Sequence, residues 1–196
     1  MKKRIAFVHN AMWEMYNFRG ELLQELKAKG YEITVICPPD EKNAHYFTDL
    51  GIKLLTVPMS RKGTNIKEDV QLVKNLFKVY KKEKFDLVFH YTIKPNIYGT
   101  LAAKLAGIKS IAITTGLGYV FLHNNITSLI AKFMYKFSLA FANEVWFLND
   151  DDMNIFLDKD LITERQAFKL PSEGINTKRF VPKEKNRKDS KTVFLM

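Results

Sequence analysis

One cysteine, Cys37, in 196 residues leaves no partner for an internal disulfide and fits a reducing compartment. A long apolar run is missing at the start. Residues 5–8 follow Lys2, Lys3 and Arg4, but this stretch is far shorter than a signal-peptide core, and no small-residue cleavage site follows. A cytoplasmic chain is therefore expected. Glycine is scarce after the first apolar run: residues 9–20 contain no G-x-G-x-x-G, which disfavours NAD or FAD held on that motif. Zinc-ligand spacing and nucleic-acid motifs are also lacking, and the lysines are scattered, so nucleic acid is not an expected partner. Acidic residues are outnumbered, 21 against 31 Lys and Arg, for a formal charge of +10. That excess reads either as solubilising surface or as attraction to anionic headgroups and phosphorylated small molecules.

What is present alternates. Short apolar stretches at 4–9, 32–37, 52–57, 86–89, 110–114 and 144–148 read as strands, with a shorter one at 167–170. Helical patterns fall between them, at 18–29, 41–50, 65–82, 95–106, 126–142 and 150–157. Gly30, Gly51 and Gly107 close helices, and Pro38, Pro39 and Pro58 stop strands. Strands this apolar, separated by helices, imply a parallel sheet covered on both faces. Right-handed crossovers make it a Rossmann-like, doubly wound α/β fold. Ligands of such sheets lie beyond the carboxyl ends of the strands, which directs attention to residues 9–18, 90–96, 114–125 and 171–180. Residues 1–182 are expected to form one domain. The charged stretch 183–191 reads as a linker, and 192–196 (TVFLM) as the first strand of a further, truncated domain.

Several residues carry possible chemistry. Arg19 is expected in the first turn of its helix, where a cation opposes the dipole unless an anion lies between; it reads either as a diphosphate contact or as a solvated side chain or salt bridge with Glu14. The segment H-Y-T-I-K-P-N-I-Y-G (90–99) gathers His90, Lys94 and Asn96 at a strand's carboxyl end. Thr115, Gly116 and Gly118 form a loop after the fifth strand, where paired glycines permit close approach or merely a tight turn. The run N-D-D-D at 149–152 is expected to be a helix cap rather than a metal site, and no metal is expected. Residues 126–143 carry only Lys132 and Lys136 as charges. They read as a buried helix covering the sheet, or alternatively as one touching a membrane surface.

These segments together resemble the N-terminal half of a retaining GT-B glycosyltransferase of the large GT4 family. The resemblance is nearest to its bacterial branch acting on undecaprenyl-diphosphate-linked acceptors. The carrying stretches are FRGELLQELKAKGYEITVICP, HYTIKPNIYGTLAAKLAGI, ITTGLGYVF and LPSEGINTKRFVP, spanning most of 4–182. The resemblance implies transfer of a hexose or N-acetylhexosamine from a nucleotide diphosphate sugar to a lipid-linked or polysaccharide acceptor, with no cofactor. It also implies a second, donor-binding domain as partner, without which this part is inactive, and peripheral contact with the inner face of the cell membrane.

The acceptor-side candidates are Asn10, Arg19, His90, Lys94 and Asn96, with His90 the catalytic candidate. Thr115, Gly116, Gly118 and Glu173 would face the donor. Two departures from the family pattern stand out: Thr115 occupies the place where many members carry a histidine, and Ser172 and Asn176 replace a Gly and an Asp in the late loop. Two other readings are a non-catalytic acceptor- and membrane-docking subunit of a split enzyme, and a GT-B-like sugar-nucleotide epimerase.

Overall fold

The computed structural model describes residues 2–60, 65–117, 121, 125–171, 174, 176–178 and 181, with the backbone alone at Thr127. Seven parallel strands form one sheet in the order β3-β2-β1-β4-β5-β6-β7. They are β1 (Arg4–Val8), β2 (Glu32–Cys37), β3 (Lys53–Thr56), β4 (Leu87–Tyr91), β5 (Lys109–Thr114), β6 (Glu144–Phe147) and β7 (Ala167–Lys169). The connecting helices are α1 (Met12–Ala28), α2 (His45–Asp49), α3 (Ile66–Glu83), α4 (Thr100–Ala106), α5 (Ile126–Leu139) and α6 (Asp150–Asp158). A π-helical turn, Pro95–Gly99, leads into α4. The predicted linker 183–191 and the strand 192–196 lie outside the described residues.

Alternation along the strands sorts the core onto two faces. Ile5, Phe7, Val35 and Ile113 point to one side, where Met12, Met15 and Leu23 of α1 and Phe47 of α2 cover them. Ala6, Val8 and Val88 point to the other, beneath Leu72, Leu76 and Tyr80 of α3 and Ala102 and Ala103 of α4. A third cluster joins Val145 and Phe147 of β6 to Tyr135 and Leu139 of α5 and Phe156 of α6. Caps fix several helix starts. Asn65 accepts from the Lys67 amide at 3.1 Å and donates to Glu68 at 2.9 Å, a reciprocal cap typically worth about 1 kcal/mol. Asn149 accepts from the Asp152 amide at 2.7 Å, so the N-D-D-D run does cap α6, and Asp150 pairs with Lys169.

Two expectations change. Helix α1 begins at Met12, not near residue 18, because Met12, Met15, Arg19 and Leu23 make one continuous buried stripe. The supposed loop 9–18 is mostly helix, and Arg19 lies beyond the first turn, so the argument from the helix dipole falls away. Helix α5, whose default reading was a buried cover, buries only one side. Ser128, Tyr135 and Leu139 face inward, while Ile126, Leu129, Ile130, Phe133 and Phe137 are exposed.

His90 belongs to the core. It is fully buried, with its Nε2 2.9 Å from the Tyr80 hydroxyl and its Nδ1 3.3 Å from the Thr100 hydroxyl. Gly99 allows this: a Cβ there would lie 2.6 Å from the imidazole. Substituting Gly99→Ala is therefore expected to cost about 1–3 kcal/mol, typical of overpacking a tight core, read as a lower urea midpoint at unchanged slope. Burial also pushes the His90 pKa down to about 3. An unfolded histidine takes up its proton near pH ~6.5. Between those values the unfolded state binds more protons, so stability falls as pH drops through the window. In urea titrations across that range, His90→Gln should flatten the pH slope by about 1.4 kcal/mol per unit.

Candidate functional site

The strand order reverses between β1 and β4, since β2 and β3 lie to one side of β1 and β4–β7 to the other. At such a switch point the connections leave in opposite directions and open a crevice at the carboxyl edge. The register aligns what lines it. Val8 pairs with His90, and His90 with Ala112. Two residues further along these strands stand Asn10, Thr92 and Thr114. Each has a buried side-chain oxygen without a hydrogen-bond partner among the described residues. Buried polar atoms are nearly always partnered, so three that are not, at neighbouring strand ends, mark this edge as polar. The three oxygens are themselves covered, and half-buried Asn10 with exposed Thr115 and Gly116 are what the edge offers a ligand.

The turn after β4 is strained at the same point. Thr92 has φ +71°, a left-handed conformation that costs a β-branched residue energy and must be held by its surroundings. Its carbonyl accepts from the Asn96 amide at 2.9 Å, starting the π-helical turn. After β5, Thr115 and Gly116 are exposed, with Gly116 at φ +149°.

On the β1 side, His9 is buried and accepts the Ala11 N–H on its Nδ1 at 2.9 Å. That bond occupies one of the helix's unsatisfied amide groups and assigns the neutral ring's proton to Nε2, which lies 3.8 Å from Glu14. Arg19 is buried too, with its guanidinium 4.9 Å over the Tyr91 ring, which in turn lies 6.0 Å from His9. Arg19 thus joins α1 to the end of β4. His9, Glu14, Tyr91 and Thr92 were not among the expected site residues. They fall within the stretches 9–18 and 90–96 marked out by the fold, but that the two stretches meet follows only from the pairing of β1 with β4.

Of the acceptor-side candidates, Asn10 is half-buried at the edge and lines a cleft of about 300 Å³ with Trp13, Glu14, Pro38, Asp40 and Met59. Lys94 lines a second cavity of about 210 Å³, but its ammonium is already engaged by Asp69 at 2.7 Å and Ser60 at 2.8 Å. Asp69 also accepts from the Tyr98 hydroxyl at 2.7 Å. His90 and Asn96 need correcting. Neither side chain forms a polar wall of the cleft, because His90 is sealed between Tyr80 and Thr100 and Asn96 donates to the Ile113 carbonyl from a position 1% exposed. A fully buried, neutral imidazole has no access to a substrate, so His90 is no longer a catalytic candidate. Gly118 and Glu173 lie outside the described residues. Among the described residues, no three His, Cys, Asp or Glu side chains converge as a metal site would require.

The family described as "Glycosyl transferase 4-like" matches residues 4–149. The N,N'-diacetylbacillosaminyl-diphospho-undecaprenol alpha-1,3-N-acetylgalactosaminyltransferase of Campylobacter jejuni is 32% identical over 187 residues, covering 91% of this chain and 48% of that protein. The UDP-Gal:alpha-D-GlcNAc-diphosphoundecaprenol alpha-1,3-galactosyltransferase of Escherichia coli is 24% identical, covering 78% and 39%. The chain thus spans about half the length, or less, of these curated relatives. Among solved structures, a glycosyltransferase from Rickettsia africae superimposes with a TM-score of 0.64 at 20% identity, covering 86% of this chain and 42% of that one. The likeness of fold agrees with the seven-stranded Rossmann-like sheet as half of a GT-B architecture. With three quarters of its length matched, the chain belongs to the glycosyl transferase 4-like family.

Proposed function

We propose that this chain is the acceptor-side half of a retaining glycosyltransferase that moves a hexose or N-acetylhexosamine from a nucleotide diphosphate sugar to a lipid-linked diphosphate sugar. The observation that carries the reading is the polar crevice edge at β1–β4–β5, where half-buried Asn10 and exposed Thr115 and Gly116 lie at the carboxyl ends of the strands. A hydroxyl-rich acceptor suits such a polar edge, and the family match supplies the reaction class. The donor loop comprises Thr115 and Gly116, with Gly118 and Glu173 retained as sequence candidates. Arg19 orders Tyr91 and the end of β4 behind that edge. No step relies on a metal or cofactor of this half, and the donor's diphosphate is held by a second domain outside these residues.

Helix α5 supplies the contact with the membrane. No helix among the described residues is long and apolar enough to cross one. The exposed side of α5 is apolar, it carries Lys132 and Lys136, and no Asp or Glu occurs between Asp86 and Glu144. Apolar side chains beside lysines, without acids, suit the surface of an anionic bilayer. The helix starts after the carboxyl end of β5, so its exposed face begins on the rim where a lipid-borne acceptor would arrive.

Two experiments test this. Release of nucleoside diphosphate from a panel of UDP-sugars with an undecaprenyl-diphosphate sugar is expected only when the donor-binding half is present. With that half, Asn10→Ala should raise the acceptor KM roughly 10-fold, the scale of one or two lost hydrogen bonds. Interconversion of the free UDP-sugar without acceptor would instead favour the epimerase reading, and transfer by these 196 residues alone would overturn the division of labour. In flotation assays the chain should bind vesicles containing phosphatidylglycerol and not neutral ones. Phe133→Asp should abolish that binding without loss of fold, and an unchanged Phe133→Asp variant would remove α5 from the membrane.

A further inference from the structure

The cleft beside Asn10 has a character of its own. Its volume, about 300 Å³, is at the lower end of the range for small-molecule sites, which suits one ring rather than an extended chain. Its walls are Met12, Pro38, Pro39 and Met59, with Trp13 at the mouth. Trp13 is 49% exposed although it lies in the first turn of a well-packed helix. The helix is fixed beneath it by the fully buried Met12 and Met15 and by the His9 bond to the Ala11 amide, and Phe18 packs edge-on against the indole at 6.4 Å. The helix beneath the exposed ring is therefore fixed before any ligand arrives, and Phe18 flanks the indole on one side.

Among the described residues, the charges lining the cleft are two carboxylates, Glu14 and Asp40, and no Lys or Arg. Asp40 accepts from the Asn43 side chain at 2.6 Å and retains further acceptor capacity. A diphosphate in this space would face two like charges in a confined, partly apolar site, which is unfavourable. A sugar ring has the complementary chemistry. Its hydroxyls donate to carboxylates and both donate to and accept from an amide, while its C–H face packs on an indole.

We propose that this cleft is a subsite for an uncharged pyranose ring of the acceptor, with Trp13 as its stacking face and Asn10, Glu14 and Asp40 as its hydroxyl partners. The sugar then lies on the β1–β2 side of the switch point, and the acceptor's diphosphate lies elsewhere. The inference rests on the glycosyltransferase reading for the source of the sugar, but binding can be measured on this chain without any transfer.

The test is a fluorescence titration of the chain with N-acetylglucosamine, inorganic pyrophosphate and tetramethylammonium in parallel. The expected result is a saturable change in tryptophan emission with the sugar, absent in Trp13→Phe, where only Trp146 reports. Ligand-observed NMR should show the sugar still bound by Trp13→Phe and weakened at least 10-fold in Trp13→Ala. Saturable binding of pyrophosphate or tetramethylammonium in place of the sugar would overturn the assignment, as would sugar binding unaffected by Trp13→Ala. With the donor-binding half present, Trp13→Ala should raise the acceptor KM with little change in kcat. Wild-type KM in that variant, alongside normal transfer, would sink the subsite and leave the transferase standing; absence of transfer in the parent protein would sink the transferase while the binding titration still judged the subsite.

Discussion

Everything at the candidate site depends on β1 and β4 lying side by side in parallel, with Val8 opposite His90. These strands are far apart in sequence, and all of α1, β2, α2, β3 and α3 is accommodated between them. Their pairing brings the ends of two unrelated connections together: one turns into α1, the other into the π-helical turn. Because the connections diverge, polar side-chain oxygens of Asn10, Thr92 and Thr114 at this edge are left without partners among the described residues. The two sides are tied together by Arg19 stacked on Tyr91 and by His9 beside the same ring. A lost contact there would loosen a joint between two halves of the sheet, as well as a binding surface.

The same edge separates polar residues that hold the fold from those free to meet a ligand. Lys94 and Asp69 form a buried ion pair extended by Tyr98 and Ser60, connecting the π-helical turn to α3 and to the segment after β3. A buried charge of this kind is costly to break, because the surviving partner is left unpaired. Burial and the carboxylate of Asp69 push the Tyr98 pKa up, so the hydroxyl keeps its proton and continues to donate. His90 is held likewise by two hydroxyls. These networks set where the turn after β4 lies, and the strain at Thr92 is sustained by them. Their contribution is positional, whereas Asn10, Thr115 and Gly116 stand where a substrate can reach.

How much of this was readable in the sequence follows from the range of each interaction. Strands, caps and helix stops are local: Asn149 caps the helix its spacing implied, and β2 has the expected bounds. The start of α1 was not legible, because Trp13, Tyr16 and Asn17 look like loop residues until the sheet beneath shows Met12, Met15 and Arg19 to be one buried face. The burial of His90 was even less so. It depends on a glycine nine residues later and on a tyrosine ten residues earlier, which meet only across packed elements. Polarity at a strand's end suggested a site built on His90 and Asn96, and both side chains turn out to serve the core instead. The family resemblance carried the reaction class, which neither periodicity nor spacing could have supplied.

Exposure of apolar residues gives the molecule a direction. Ile126 is 79% exposed and Phe133 68%, on a helix whose opposite side is sealed into the third core cluster by Tyr135 and Leu139. Scattered exposed apolar residues are common on soluble proteins, but a continuous helical stripe of them is not. Both ends of that stripe are fixed by the sheet: α5 leaves from the carboxyl edge after β5, and beyond it Asn143 donates to the Ser110 carbonyl and accepts its amide at the amino end of that strand. A bilayer against α5 would therefore meet the domain along one flank and reach the rim of the crevice at the Ile126 end. The acidic, tryptophan-lined cleft lies on the β1–β2 side of that rim, away from the lysines. On the proposed function, lipid anchor and sugar ring approach opposite sides of one edge, which would make the length of the acceptor between them a geometric determinant of fit.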